Sequence, residues 1–158
     1  MAEYRIRGAT PADADALVHH RVGMFSDMGV EMDAAAVAAA FRRWLDAALP
    51  AGVYRAWIAE TAAGLAIGGG GIIVRPWPPG PRDLGDQLAF VYNVYVEPPH
   101  RGRGVARMIM HAIHAWCREA GIASVGLNAS DAGRQLYESL GYRVSPYPMM
   151  VLGLGKAR

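Results

Sequence analysis

Residues 87–106 constrain this chain more than any other stretch. Residues 87–96 are rich in Val, Tyr and Phe and almost continuously apolar, which predicts a central strand covered on both faces. A proline pair, Pro98-Pro99, follows, and then Arg101-Gly102-Arg103-Gly104-Val105-Ala106. Residues 102–120 read as an amphipathic helix. Val105, Ile109, Ala112, Ile113 and Trp116 form one stripe, with Arg107, His111, His114 and Arg118 largely off it. A strand delivered into a helix through glycines leaves the first helical amides without internal partners. The helix dipole places about half a positive charge at that same end. Gly102 and Gly104 remove side chains that would hold a ligand away, Ala106 leaves room in the first turn, and Arg101 and Arg103 add charge. This is a receptor for a phosphate or pyrophosphate. Each hydrogen bond from such an amide to a charged oxygen is worth about 1.5–3 kcal/mol, so several converging donors hold a diphosphate without a metal.

A helix that merely begins after a turn would also carry glycines. The strong strand before them and the amphipathic helix after them favour the phosphate reading. Other phosphate motifs fit less well. A dinucleotide fingerprint needs a third glycine where Arg107 stands, and a nucleotide P-loop needs Gly-Lys-Ser/Thr, whereas the only lysine is Lys156. Gly68-Gly69-Gly70-Gly71 has no following helix and reads as a flexible or bulged strand.

Around this core the period of the apolar residues sets the element order. Residues 4–7 suit a short strand. Thr10-Pro11 opens a helix carrying Leu17, Val18, Val22 and Phe25 to about Met28, where Gly29 ends it. Residues 33–48 predict a second helix. Residues 53–60 and 65–74 predict an antiparallel hairpin, and the proline-rich loop 76–81 stays out of the sheet. Residues 122–127 predict a further strand. Ser130 or Asp131 caps a short helix carrying Leu136, Tyr137 and Leu140, and residues 142–144 and 149–152 are expected as closing strands. The 158 residues suit one α/β domain, spanning residues 1–158, with a mixed sheet.

Several function classes are disfavoured. The net charge of +2 is small, and an arginine patch of Arg101, Arg103, Arg107 and Arg118 has little basic support elsewhere, so nucleic acid is not expected. Residues 65–74 are too short and glycine-rich to cross a bilayer, and nothing at the N-terminus resembles a signal peptide. Cys117 stands alone, so the chain reads as soluble and cytoplasmic. His19, His20, His111 and His114 lack acidic or cysteine partners at ligand spacing and read as surface or packing residues; no metal is expected.

At Arg101, Gly104 and Ala106 the chain resembles the GCN5-related N-acetyltransferase (GNAT) superfamily, whose acetyl-CoA motif is Arg/Gln-x-x-Gly-x-Gly/Ala after a central strand. A second family segment is matched by Asn128, Ala129-Ser130 and Leu136-Tyr137-Glu138-Ser139-Leu140-Gly141-Tyr142, in the family's order and approximate separation. The resemblance implies a mixed, mostly antiparallel α/β (α+β) sheet of six to seven strands flanked by about four helices. It implies acetyl-CoA as co-substrate and an amine as acceptor. The backbone from Val94 through Tyr95 to Val96 would carry the pantetheine arm, residues Arg101, Gly102, Arg103, Gly104, Val105 and Ala106 the pyrophosphate, and Asn128 the pantetheine or the adjacent strand end. Tyr137 would sit near the thioester sulfur and protonate the leaving thiolate. Related domains often pair, so a homodimer is compatible.

Transfer needs a neutral amine, so a base must accept a proton, directly or through water. Asp86 at the head of the central strand, Asn93 and Glu97 on one face of it, and water are the candidates. Glu31 and Asp27 lie where an acceptor amine would approach, and Trp77 can line its pocket or cover the sheet. The acceptor amine and the length of the acyl chain stay open, as does a non-catalytic acyl-CoA-binding module. That module would bind acetyl-CoA yet release no thiol across an amine panel.

Overall fold

A computed structural model describes residues 3–155. The chain divides into two compact units, one running to Asn128 and the other beginning at Ala129.

The first unit is built on a five-stranded sheet: β1 (Tyr4–Gly8), β2 (Arg55–Thr61), β3 (Ala66–Pro76), β4 (Gln87–Val96) and β5 (Val125–Leu127), in that spatial order. The first four strands pair antiparallel, and β5 lies parallel to β4. Helices α1 (Ala14–Asp27) and α2 (Ala34–Ala48) connect β1 to β2, and α3 (Val105–Glu119) connects β4 to β5. The Pro11–Asp13 turn leads into α1, and Asp33 caps α2 by accepting from the Ala36 N–H.

The glycine run in β3 shows which helix covers which face. A Cβ at Gly69 or Gly71 would meet His20 of α1 or Tyr54, whereas one at Gly70 would meet Ile109 and Ile113 of α3. Alternation along the strand therefore puts α1 and α2 on one face and α3 on the other. Leu17, Phe41, Leu45, Tyr54, Ala56 and Ile58 fill the first layer, and Ile109, Met110 and Ile113 are fully buried in the second. At Gly71 a Cβ would lie 2.3 Å from the Tyr54 ring, so the residue must be glycine for the layer to close. Between Gly69 and Gly71 the β3–β4 register shifts, and the extra residue lies in β4, where Asn93 and Val94 stand opposite Gly70 alone. Opposite this shift Asn93 adopts a left-handed φ of 60°.

Two local expectations shift. Helix α3 starts at Val105 rather than at residue 102, because Gly102 and Gly104 sit at φ 71° and 79°, outside helical backbone space. Cys117, not Trp116, is the last buried residue of its stripe; Trp116 is half-buried, with the Arg55 guanidinium 4.5 Å from its ring. The loop after β3 begins one residue later than expected, since Pro76 still pairs with Gln87.

Among the described residues the second unit holds one helix, α4 (Asp131–Ser139), capped by Ser130 accepting from the Gly133 N–H. The closing strands expected at residues 142–144 and 149–152 are not formed, so the sheet has five strands rather than six to seven. Pro146 and Pro148 each remove a ladder donor between the two segments. Val144, Tyr147, Met149, Met150, Val151 and Leu152 stay exposed, so no buried face stabilises a strand there. Among the described residues no helix is long and apolar enough to cross a membrane.

Candidate active site

Gly102, at φ 71°, and Gly104, at φ 79°, turn the chain from β4 into α3, and a Cβ built on either would meet nothing within 4 Å. The amides of Gly102, Arg103, Gly104, Val105 and Ala106 have no acceptor among the described residues. The Arg101 amide differs, because it donates to the Pro98 carbonyl at 3.3 Å. The result is an open arc of five bare N–H groups at the positive end of a 15-residue helix.

The two flanking arginines are held by the protein. Arg101 donates from Nε to the Val96 carbonyl at 2.7 Å, ion-pairs with Asp27 and lies 5.4 Å over the Tyr95 ring. Arg103 reaches Glu3 at 2.7 Å. Asp27 anchors Arg101 across 74 residues of sequence, and Glu31 lies exposed between α1 and α2.

Beside this arc β4 has a free edge. Strands β4 and β5 pair only from Ala89 to Val91 against Val125 to Leu127, and beyond that point nothing among the described residues is laddered on this side of β4. The Glu97 N–H donates to the Ile67 carbonyl, so alternation turns the polar groups of Val94 and Val96 away from β3, toward that free edge. Tyr95 faces the other way, paired with Gly69. Asn128 is exposed directly after β5.

On the α1 face, β4 meets three consecutive residues of the helix. Asn93 Oδ1 accepts from Arg21 at 2.6 Å while its Nδ2 donates to the Tyr54 hydroxyl at 2.9 Å. Tyr95 stacks on His20 with centroids 5.4 Å apart, and Glu97 binds His19 Nε2 and the Tyr95 hydroxyl. Both polar atoms of Asn93 and both carboxylate oxygens of Glu97 are thus engaged. Asp86 is exposed at the head of β4, where its carbonyl accepts from the Trp77 N–H. His20 is buried with Nδ1 unpartnered, and burial, reinforced by neighbouring His19, pushes its pKa down to about 4. Burial pushes the Tyr54 phenol up to about 12.

In the second unit Tyr137 is half-buried on α4, its ring edge-on to Tyr142 at 5.8 Å, and burial raises its pKa. The sequence reading did not single out Arg21 or Tyr54. A usable signal was Arg21 itself, a charge standing at i, i+4, i+8 spacing between Leu17 and Phe25 on a buried stripe.

A family model described as the acetyltransferase (GNAT) domain matches residues 52–144, more than half of the chain. The chain belongs to the GNAT family. A crystal structure of a GCN5-related N-acetyltransferase from Ralstonia eutropha JMP134 matches it at 32% identity and a TM-score of 0.85, covering 94% of this chain and 98% of that one. A predicted acetyltransferase from Clostridium acetobutylicum, solved with acetyl-CoA, shares the fold at 24% identity and a TM-score of 0.84, over 94% and 96% of the two chains. A probable N-acetyltransferase family 8 member 5 from Mus musculus is 30% identical over 91 residues, 55% of this chain. This GNAT chain spans 37% of the length of that relative. Among the described residues no three His, Cys, Asp or Glu side chains are grouped to hold a metal ion.

Proposed function

We propose that this GNAT chain moves the acetyl group of acetyl-CoA to a primary amine, of a small molecule or a peptide, by direct attack in a ternary complex. The observation that carries this reading is the arc of bare amides from Gly102 to Ala106. The pyrophosphate sits in that arc, and the pantetheine arm adds to β4 as an extra strand through Val94 and Val96, with Asn128 at its flank. The amine attacks the thioester carbonyl, and a backbone N–H on the free edge of β4 stabilises the tetrahedral oxyanion. Tyr137 then donates its proton to the departing thiolate; a phenol is protonated at neutral pH, and burial shifts this one further that way. Asp86, Glu97 or a water accepts the amine proton.

Calorimetry on Gly104→Glu tests the reading. The new carboxylate occupies the open arc, so acetyl-CoA binding is expected to vanish while circular dichroism stays unchanged. Unaltered affinity would remove the site. Thiol release from acetyl-CoA across an amine panel tests the reaction itself.

A further inference from the structure

Most ion pairs of the first unit follow one pattern, in which an arginine finds a carboxylate. Arg5 and Arg7 meet Glu60, Arg42 meets Asp15 and Asp46, and Arg101 meets Asp27. Arg21 and Arg75, like Arg43, Arg55, Arg82 and Arg118, have no carboxylate partner among the described residues; what sets these two apart is that both face one aromatic strip. The Arg21 guanidinium lies 4.8 Å from each of the Phe25 and Phe41 rings and spends one donor on Asn93. Tyr54 and Tyr92 are its electrostatic neighbours, and burial lowers its pKa. Arg75, near the end of β3, lies 4.7 Å over Phe90 and 5.4 Å over Trp77, and its Nε is buried with no acceptor. Phe90 and Tyr92, with centroids 5.1 Å apart, join the two cations along β4.

A guanidinium carries five N–H donors in a planar fork; the buried Arg75 Nε has no acceptor, and the unpaired donors of Arg21 stay accessible to a ligand. Ring faces offset part of the desolvation but accept no directed bond. What completes the geometry is an anion with two coplanar or tetrahedral oxygens. The strip occupies the α1 side of β4, starting at the Asn93 bulge beside the free edge.

We propose that Arg21 and Arg75 select an acceptor amine that also carries an anionic group, carboxylate or phosphate, whose apolar body lies on Phe90 and Tyr92. This rests on the transferase reading above and assigns its substrate class.

The test uses the full chain with benzoate, phenyl phosphate and the neutral isostere benzamide, titrated by calorimetry. At least one anion is expected to bind tenfold or more tighter than benzamide, and which one does tells carboxylate from phosphate. Arg21→Met and Arg75→Met should each erase that margin, while Arg21→Lys keeps most of it. In turnover, both methionine variants should raise KM for an anionic amine such as 4-(aminomethyl)benzoate, with kcat and the KM for its amide little changed. Equal binding of benzamide, an anion margin that survives both methionine variants, or no binding by any probe would overturn the proposal. Acetyl-CoA is titrated into the same preparations. Tight acetyl-CoA binding without anion preference removes only this inference, whereas loss of acetyl-CoA binding in the unaltered chain removes the transferase reading and this one with it.

Discussion

His20 shows how one side chain couples burial to acidity. Its ring is 2% exposed, stacked on Tyr95, with a pKa pushed down to about 4 from the ordinary 6.5. The native state therefore binds fewer protons than the unfolded chain between those two values, and stability rises with pH through that window. The lost stability at the acid end is on the order of 3 kcal/mol. Urea unfolding from pH 6.5 to 5 should steepen this loss, and His20→Phe should flatten it; an unchanged slope would count against His20. His114, whose pKa burial also lowers, keeps a residual slope in the same direction. Tyr137 is tested at the same scale: Tyr137→Phe should slow turnover by about 10²-fold or more, within the range of a positioned acid, with little change in acetyl-CoA affinity. Equal turnover would dismiss it as the acid.

At the scale of elements, strand β3 buys its close approach to both helical layers by giving up side chains at Gly68, Gly69, Gly70 and Gly71. A Cβ at Gly71 would lie 2.3 Å from Tyr54, whose hydroxyl in turn receives the Asn93 amide. Gly71→Ala should therefore cost about 1–3 kcal/mol in chemical unfolding, the range for overpacked cores. Gly80→Ala, where a Cβ meets nothing within 4 Å, serves as control and should stay within about 0.5 kcal/mol. Because Tyr54 supports Asn93 and Asn93 holds Arg21, the Gly71 variant should also loosen anion selection before it affects the amide arc. On the other side of β4, the early end of β5 leaves the edge free beyond Val91.

For the whole molecule, a ligand that binds only the folded state adds stability by mass action. Acetyl-CoA at a hundred times its dissociation constant should stabilise the protein by about 2.7 kcal/mol, seen as a rise in melting temperature that Gly104→Glu lacks. A chain that melts identically with and without it does not bind it. The strand, glycine turn and helix over residues 87–119 were legible in the sequence because their signals are local: a near-continuous apolar run, a break, then a period of 3.6. The helices and hairpin that precede them were legible for the same reason. The two closing strands were misread because alternating apolar residues promise a strand only where a neighbour supplies a ladder and a buried face. The carboxylate that holds Arg101 was equally hidden, since Asp27 lies 74 positions away. Sequence alone thus determined the element order as far as α4, the glycine turn and the family. Tertiary structure alone decided which amides stay bare, where β4 keeps an open edge, and which rings Arg21 and Arg75 face. Those properties depend on what other segments bring to the same place, and local chain chemistry carries no record of that.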